Sequence, residues 1–388
     1  DINQSPNDAT DASITAEMIC PRVEHIVGAR MATSYDVMAR WCGYWTRSGT
    51  YGPTQEEESY NITSNFQTTQ WSGWYNILTD LNIMEKKAKA SGQGYYEGIA
   101  KTLKSIGFMY LVDMYGKVPY TEAFDLGNHI LPAYDKGEDI YADLLVQLEE
   151  AAELFRTSTA TASPNIATAD IIFEGDGEMW RKLINTQKLK LLLRQAKVAG
   201  FSATAEIAKI TADGSGFLGS GETAEVQPGY VQDLNKQNPF WNAYKLDYTG
   251  ENDPDQYNSA NNYVLNKMKG SSDVRYTYCF AKVKEKSSTT TPPQLLDYYG
   301  YNYGENIANG APKAVNASKV SGPGLAISPT QAQWLFTSTE SLFLQAEAIA
   351  RGWIAGDAKT AYENAVTESF IWLGVTDAEE EASFYLDQ

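Results

Sequence analysis

The stretch IGFMYLVDMYGKVPYTEAF, residues 106–124, decides the fold because it joins a helical pattern to a sharp break. Its apolar residues recur every fourth position from Ile106 to Met114, which is the spacing of one helical face. Gly116 and Pro119 then end the pattern, and a fresh set of polar groups follows. We predict a long amphipathic helix that ends in a turn at Gly116, and we interpret the polar groups as local hydrogen-bonding partners rather than catalysts.

Amphipathic patterns of the same kind come in pairs along the chain. Apolar residues keep the helical spacing from Thr69 to about Lys89. A break at residues 91–94 separates this run from the helical run that leads into residues 106–124. The two runs therefore predict a helical hairpin. Two further helices meet at Gly356, and the second of them has the small and aromatic packing order of a tetratricopeptide helix.

Start and stop signals predict the bounds of the remaining long helices. Asp135 and Glu138 have the spacing of a capping box, in which side chains satisfy backbone N–H groups at a helix start. Carboxylates before Trp180 are expected to stabilise the next helix start, and Gly200 is expected to end that helix. Stacked pairs of this kind predict a mostly α fold with a tetratricopeptide-like helix-pair solenoid scaffold.

The middle of the chain has a different character. Gly, Asn, Pro, Ser, Thr and Tyr accumulate over residues 214–329, apart from a short helix expected near residues 261–269. Aromatic residues are retained, so the pattern predicts a large, irregular, loop-rich half rather than a linker. The expected organisation is a single domain over 1–388, with helical scaffold at about 12–40, 66–213 and 330–374 and a ligand-facing insertion at about 214–329.

Charge and composition exclude several classes of function. The net charge is −18, and Lys and Arg form no dense run, so nucleic acid and anionic membrane surfaces are poor partners. The chain has 3 cysteines without a CxxC pair and 2 histidines, which disfavours zinc clusters, disulfide frameworks and histidine-based triads. We expect neither a metal nor a cofactor, and no enzymatic activity.

Acidic clusters are interpreted as structural. Residues 56–58, three consecutive glutamates, are interpreted as a solvated charge run, because neighbours in sequence do not converge on one point. The segment from Asn252 to Asp255 lacks the central Gly and late Glu of a calcium loop, and it is interpreted as a turn. Closely spaced glycines at residues 214–221 are followed by no Lys-Ser/Thr, so a phosphate loop is not expected.

Aromatic residues in loops are the candidate ligand-binding groups. The segment WCGYWTRSGTYG, residues 41–52, loses its helical pattern after Trp45, and the middle region adds further rings. Flat rings beside amides suit sugars, whose C–H faces stack while their hydroxyls hydrogen bond, and the same surface suits peptides. A ring face covering about 100 Å² contributes at most about 2.5 kcal/mol. After the cost of association, such platforms predict millimolar to micromolar affinity, which suits capture rather than catalysis.

Four ordered blocks resemble the SusD/RagB-like nutrient-binding lipoproteins of the Gram-negative outer membrane. Residues 106–124 resemble the helix-then-turn signature of that family, and residues 131–151, 170–196 and 339–366 are similar to the blocks that follow it. Residues 1–7 resemble a mature start just after a lipidated cysteine. The resemblance implies a SusD-like fold of tetratricopeptide-like helix pairs and a surface-exposed lipoprotein, held at the outer membrane only by an N-terminal lipid anchor. Such a protein captures oligosaccharides, or in some members peptides, and caps a SusC-like TonB-dependent transporter.

The resemblance also implies where the ligand binds. In the relatives, the ligand-binding residues come from the loop before the first long hairpin and from the irregular middle region. The matching positions here are Tyr44, Trp45, Arg47, Tyr51, Trp241, Asn242, Tyr244, Tyr299 and Tyr301. The C-terminal block usual in the family is not seen before Gln388, so a missing tail is expected. Two alternatives stay open: the same architecture with a peptide as cargo, and a helical interaction scaffold whose tyrosines only pack.

Overall fold

The computed structural model describes residues 13–54, 56–283, 297–305 and 317–388, and most of this part is helical. The expected mature start at residues 1–7 lies outside these ranges. In chain order the helices are α1 (Ala16–Thr33), α2 (Asp36–Trp41), α3 (Thr68–Ala90), α4 (Gly94–Tyr115), α5 (Gly137–Thr157), α6 (Ile166–Ala169), α7 (Gly177–Arg194), α8 (Thr204–Asp213), α9 (Pro239–Tyr244), α10 (Asn262–Gly270), α11 (Tyr276–Cys279), α12 (Ser338–Ala350), α13 (Ala358–Trp372) and α14 (Ala378–Leu386). Ala160–Ala162 form a 3-10 helix, and the strands are β1 (Trp45–Arg47), β2 (Ala224–Val226), β3 (Asn258–Ala260) and β4 (Gln333–Phe336). The predicted mostly α architecture is confirmed.

The chain folds as two compact units. The first is Asp1–Gly28, Gln67–Pro228 and Glu340–Ala358, and the second is Ala29–Phe66, Gly229–Thr339 and Lys359–Gln388. Long helices α3, α4, α5 and α7 lie in the first unit, whereas β1, β3 and most of the loop-rich region lie in the second. The domain bounds expected from the sequence stay a prediction.

Helices of the first unit pack in the order of the sequence. Helix α3 packs against α4, α4 against α5, α5 against α7 and α7 against α8. The predicted hairpin of α3 and α4 is therefore confirmed, and each added helix covers the exposed face of the one before it, as in a solenoid. Glycines permit the closest approaches: a Cβ at Gly107 would lie 2.9 Å from Trp74, and one at Gly98 would lie 2.8 Å from Phe155.

The helix in residues 106–124 ends where the sequence predicted. Helix α4 stops at Tyr115, and Gly116 follows with φ +74°, a backbone angle that favours glycine. The carboxylate of Asp113, near the end of α4, accepts a hydrogen bond from the Tyr141 hydroxyl and pairs with Arg194. These partners hold α4 to α5 and α7, so Asp113 acts as a packing group of the helix scaffold.

The predicted capping box before α5 is wrong. The helix begins at Gly137 after Lys136, which makes no side-chain cap. The Asp135 carboxylate instead accepts the backbone N–H groups of Tyr120 and Thr121, each at 2.9 Å. Burial opposes ionisation of Asp135, but these bonds outweigh it and lower its pKa. The carboxylate therefore closes the loop that follows α4 instead of starting α5.

The start of α7 was predicted correctly and its end was not. Asp176 caps the helix by accepting the backbone N–H groups of Glu178 at 2.9 Å and Met179 at 3.1 Å. The helix ends at Arg194 rather than near Gly200. After Arg194 the backbone changes to tighter turn bonds between residues three apart, and Gly200, with φ +76°, lies beyond that turn.

Two cavities of the first unit lie beside residues 106–124. A polar one of about 350 Å³ is lined by charged residues that are already paired: Lys101 with Glu150 at 2.8 Å, and Lys104 with Glu85 at 2.7 Å. An apolar groove of about 670 Å³ lies between α3 and residues 119–134. The paired ions bridge α3, α4 and α5, which gives them a structural role.

A buried carboxyl group lies in the first unit at α1. Glu24 is fully buried, its Oε2 accepts the backbone N–H of Ile171 at 2.7 Å, and the Cys20 thiol lies 3.3 Å from its Oε1. Burial, with the nearby Asp170 carboxylate as the second cause, raises the pKa of Glu24 well above its ordinary value. The protonated form is therefore the one that the fold favours.

We predict that Glu24→Gln gains stability relative to the natural protein as pH rises. Because Glu24 has a higher pKa in the folded than in the unfolded state, it stabilises the fold at pH values below the ordinary pKa of a glutamate. That contribution is lost as the pH rises towards the folded-state pKa. Glutamine keeps an acceptor for Ile171 and has no proton to lose. The difference in unfolding free energy should grow by up to about 1.4 kcal/mol per pH unit between pH 5 and 8. Urea unfolding at both limits measures it.

Glu138→Gln is the matched control, because Glu138 is exposed in the first turn of α5. Its unfolding free energy relative to the natural protein should stay constant over the same interval. A constant difference for Glu24→Gln as well would contradict the assignment of a protonated Glu24.

Candidate functional site

A short antiparallel ladder in the second unit joins the first aromatic loop to the middle region. Strands β1 and β3 pair so that Arg47 lies opposite Asn258. Asn261, directly after β3, donates its backbone N–H to the Tyr44 carbonyl at 3.1 Å and its side-chain amide to the Trp45 carbonyl at 3.2 Å. The sequence places these segments more than 200 positions apart, and the ladder makes them one surface.

Three of the predicted site rings belong to the core of this unit. The Trp45 ring meets Tyr244 edge-on with 5.3 Å between centroids, and Trp241 packs against the same hydrophobic cluster. Tyr244 is 6% exposed, and burial raises the pKa of its hydroxyl, which remains protonated. Trp45 and Trp241 are partly buried. These rings support the surface rather than forming an open arc of platforms.

Arg47 is buried and engaged with protein groups. Its Nε lies 2.7 Å from Glu58, one terminal nitrogen donates to the Tyr51 carbonyl at 2.5 Å, and the other donates to the Glu305 carbonyl. Only 2% of the side chain is exposed. Arg47 therefore holds three loop segments together.

A second buried arginine fixes the neighbouring wall. Arg40 binds both carboxylate oxygens of Glu57, at 2.5 and 2.9 Å, and its Nη1 lies 2.8 Å from the Asp36 carboxylate and 2.6 Å from the side-chain amide oxygen of Asn258. Burial alone would lower the pKa of Arg40, but the Glu57 and Asp36 carboxylates outweigh burial and raise it. The guanidinium therefore stays charged, and each of its three nitrogens donates at least one hydrogen bond.

The prediction of a solvated charge run at residues 56–58 is wrong. The side chains of Glu57 and Glu58 are 9% and 3% exposed, because each is drawn inward by a buried arginine, Arg40 and Arg47 respectively. A sequence of adjacent glutamates carries no sign of these partners, one of which lies 17 positions away and the other 11.

The other predicted site residues lie at the surface. Tyr44, Tyr51 and Tyr299 are 56%, 40% and 50% exposed, and Asn242 is exposed. Tyr301 is partly buried, and its carbonyl accepts the backbone N–H of Asn262 at 2.9 Å. The structure thus divides the predicted set into buried supports and exposed rings.

The second unit contains a wide pocket of about 650 Å³ that combines aromatic rings with amides. We call it the amide pocket. It is lined by Arg40, Trp41, Cys42, Gly43, Asn261, Asn262, Tyr263, Asn266, Asn302 and Tyr303. Tyr44, a predicted site residue, follows the lining residue Gly43 directly, so the pocket borders the loop that the sequence singled out.

Tyr263 is the exposed ring of the amide pocket. It is 63% exposed, and its ring lies over Gly43, where a Cβ would be 2.9 Å from the ring carbon Cδ1. Gly43 also has φ +79°, which favours glycine. The backbone N–H of Tyr263 is held by the side chain of Asn261 at 2.9 Å, which caps α10. The cap and the glycine together fix the position of the ring.

The amides of the pocket include groups with free hydrogen-bonding capacity. The Asn262 amide nitrogen donates to Asn302 at 3.0 Å, and Asn302 donates to Glu305 at 2.7 Å. The exposed side chain of Asn266 has no hydrogen-bond partner within the described part of the chain. An amide offers two donors and an acceptor, so Asn266 can bind a ligand hydroxyl in either sense.

The opposite wall of the pocket is rigid and aromatic. Trp41 stacks on Phe66 with 5.4 Å between centroids, and its indole N–H donates to the Glu57 carbonyl at 3.1 Å. The Tyr303 hydroxyl lies 3.2 Å from Glu57. Burial, followed by the Glu57 carboxylate, raises the pKa of Tyr303, so the phenol stays neutral.

The pocket amides were not among the predicted site residues, although the sequence carries a signal for them. The short helix expected near residues 261–269 is confirmed as α10. Asn262 and Asn266 are four positions apart on it, so they share a face, and Tyr263 stands beside them. A helix face with two amides beside a tyrosine could have been proposed as a binding surface.

Residues 252–255 form a turn held by an aspartate side chain. Asp253 accepts the backbone N–H of Asp255 at 3.0 Å, which confirms the predicted turn. Across residues 13–54, 56–283, 297–305 and 317–388, no group of three or more His, Cys, Asp or Glu is placed to hold a metal ion. None of the helices described above has the length and apolar character needed to cross a bilayer.

Comparison with known proteins gives a consistent result. The profile of a SusD-like family, described as starch-binding and associating with outer membrane, matches residues 6–388. A SusD homolog from Bacteroides fragilis is 20% identical over 97% of this chain and 78% of its own, with a TM-score of 0.71. A SusD-like protein from Bacteroides thetaiotaomicron is 20% identical over 94% and 72%, with a TM-score of 0.70. A chitin-binding protein is 20% identical over 96% and 79%, with a TM-score of 0.72. A search of curated protein sequences gave no match.

We predict that Glu57→Ala destabilises the second unit strongly and Glu56→Ala does not. Removing Glu57 leaves a buried guanidinium without its two-point partner, which typically costs about 3–5 kcal/mol. Glu56 is the matched control, since it adjoins Glu57 in sequence and its hydrogen bond is an exposed one to Thr63; about 0–1 kcal/mol is expected there. Chemical unfolding of both variants measures the effect. Equal losses would show that Glu57 is not a special partner of Arg40.

Proposed function

The chain belongs to the SusD-like family, as its four sequence blocks predicted, and we propose that it captures oligosaccharides at the cell surface and delivers them to a TonB-dependent transporter. The family is described as starch-binding and associating with outer membrane. The observation that carries the proposal is the amide pocket, which places an exposed tyrosine ring beside an amide with free hydrogen-bonding capacity.

The chemistry of the pocket fits a sugar. A pyranose ring has an apolar C–H face that stacks on an aromatic ring, and hydroxyls at its edge that both donate and accept hydrogen bonds. Tyr263 supplies the exposed ring, and Asn266 with the carbonyl oxygen of Asn262 supplies the amide groups. The solved chitin-binding protein with the same fold supports a glycan as the ligand class.

The residues predicted from the sequence enter the proposal in two roles. Exposed Tyr44, Tyr51 and Tyr299 are proposed to extend the ligand surface beyond the pocket, with Asn242 and Tyr301 as further contacts. Four residues that pack inside the unit are proposed to position that surface without touching the ligand: the partly buried Trp45 and Trp241 and the buried Arg47 and Tyr244. Platforms of about 100 Å² contribute at most about 2.5 kcal/mol each, so the expected affinity is weak, in the millimolar to micromolar range.

The partner and anchor are also part of the proposal. The family description supports a place at the outer membrane, and a SusC-like TonB-dependent transporter is the proposed recipient of the ligand. An N-terminal lipid anchor is proposed to hold the protein at the surface. A peptide as cargo is the alternative, and competition of bound glycan by a mixed peptide digest separates the two classes. Displacement by the digest would favour the peptide.

We predict that Tyr263→Ala weakens glycan binding by about tenfold or more. Loss of a stacking face of the size given above removes about 1.5–2.5 kcal/mol, and 1.4 kcal/mol corresponds to a factor of ten. Affinity electrophoresis through gels containing soluble starch or chitin oligosaccharides measures weak binding directly. Tyr362→Ala is the matched control, because Tyr362 is 47% exposed in the same unit but lies on α13, outside the pocket lining. Unchanged retardation of Tyr263→Ala would remove the amide pocket as the site.

We predict that Gly43→Ala also weakens binding, although Gly43 has no side chain to contact a ligand. The added Cβ would displace the Tyr263 ring, and φ +79° would cost about 1–2 kcal/mol of stability for an L-residue. Gly270→Ala is the control, since nothing lies within 4 Å of its added Cβ. Measuring the unfolding midpoint beside the affinity separates ring displacement from unfolding. A folded Gly43→Ala protein with full affinity would contradict a fixed ring platform.

A further inference from the structure

Among the residues that the structure describes, the lining of the amide pocket includes no charged group that is free to bind a ligand ion. We propose that it selects uncharged oligosaccharides and rejects anionic glycans, such as those that carry carboxylates or sulfates. This inference rests on the proposed function, because it concerns the ligand of the same pocket. It goes beyond that function by naming the charge class of the glycan.

The cation of the pocket lining is already neutralised. Arg40 is 5% exposed, and its three guanidinium nitrogens donate hydrogen bonds to Glu57, to Asp36 and to the side-chain amide oxygen of Asn258. Two carboxylates face this one cation, so the cluster carries a net negative charge of one. A ligand anion would therefore compete with two carboxylates for Arg40 and would be repelled by the excess negative charge behind the lining.

Two charged residues of opposite sign adjoin the lining, so together they add no net charge to it. The Nζ of Lys267 lies 6.0 Å from the centroid of the Tyr263 ring, and Glu305 accepts a hydrogen bond from Asn302. Both are exposed and of opposite sign. The balance at the pocket is therefore set by the Arg40 cluster, and the net charge of −18 on the whole chain adds long-range repulsion of anions.

The free hydrogen-bonding groups match hydroxyls better than anions. The amide of Asn266 and the carbonyl oxygen of Asn262 offer donors and acceptors together, and a hydroxyl uses both. A carboxylate or sulfate only accepts, so it cannot use the acceptors, and it must give up hydration without an opposite charge in return. The pocket can therefore satisfy a neutral sugar and leaves an acidic one poorly paired.

The first experiment compares starch with carboxymethyl starch of matched chain length, at low and at high ionic strength. Neutral starch should bind with the same affinity at both salt concentrations. Carboxymethyl starch should bind more weakly by on the order of tenfold at low salt and should recover partly at high salt, where repulsion is screened. Equal or tighter binding of carboxymethyl starch at low salt would overturn the inference.

A charge added to the pocket should reverse the preference. Asn266→Lys places a free ammonium on α10 at the lining. Carboxymethyl starch should therefore bind to this variant more tightly than to the natural protein, with an affinity that falls as the salt concentration rises. Gln232→Lys is the control, because it adds the same charge to an exposed position of the same unit outside the lining. A gain of equal size in both variants would show that net charge, and not the pocket, governs selection.

The outcomes separate this inference from the proposed function. If starch binds and is lost in Tyr263→Ala while carboxymethyl starch binds equally well, the glycan site stands and charge selection fails. If neither polymer binds, nor chitin oligosaccharides, the proposed function fails and charge selection fails with it.

Discussion

The buried guanidinium of Arg40 is the constraint on which the second unit depends. It joins α2 to Glu57 in the loop after β1 and to Asn258 in β3, and these partners lie 17 and 218 positions away in sequence. A buried charge without its partners is costly, so these segments can separate only with a large loss of free energy. The wall of the amide pocket is thereby fixed before any ligand arrives. For a weakly binding ligand this matters, because little of the small binding energy is then lost in ordering the protein.

The first unit is held together in a different way. Its long helices pack in sequence order, and their contacts are made largely by apolar side chains such as Trp74 and Leu78, both fully buried. Charged residues there, such as Lys101 and Lys104, connect neighbouring helices rather than distant loops. Stability is therefore distributed along successive helix pairs. The two units illustrate two ways of using charge: as a link between adjacent helices, and as a fastening for segments far apart in the chain.

The helices could be predicted from the sequence because their causes are local. Apolar spacing and Gly116 gave both α4 and its end, and Asp176 acted on backbone groups two and three positions away. The failures have causes at longer range. Asp135 has the spacing of a capping residue, but its carboxylate instead accepts hydrogen bonds from backbone N–H groups of a loop 14 and 15 positions earlier. Glu57 resembled a solvated residue because its sequence neighbours do not reveal a buried arginine.

The candidate site shows the same division. Sequence resemblance located the loops, and the exposed rings of Tyr44, Tyr51 and Tyr299 lie in them. Which rings face solvent could not be read from residue type, since Trp45 and Tyr244 have the same character and pack together. The amides of α10 depend on β3 meeting β1, a pairing of segments too distant for periodicity to indicate.

The three cysteine thiols differ in exposure and reactivity, and this difference has a practical use. Cys20 is fully buried, and burial raises the pKa of Cys20 well above its ordinary value and that of Cys279 to about 12, so both thiols are poor nucleophiles. Cys42 is exposed and lies in the lining of the amide pocket. A thiol-reactive fluorophore should therefore attach to the natural protein at the pocket itself, and the protein carries its own attachment point for an optical sensor of ligand occupancy.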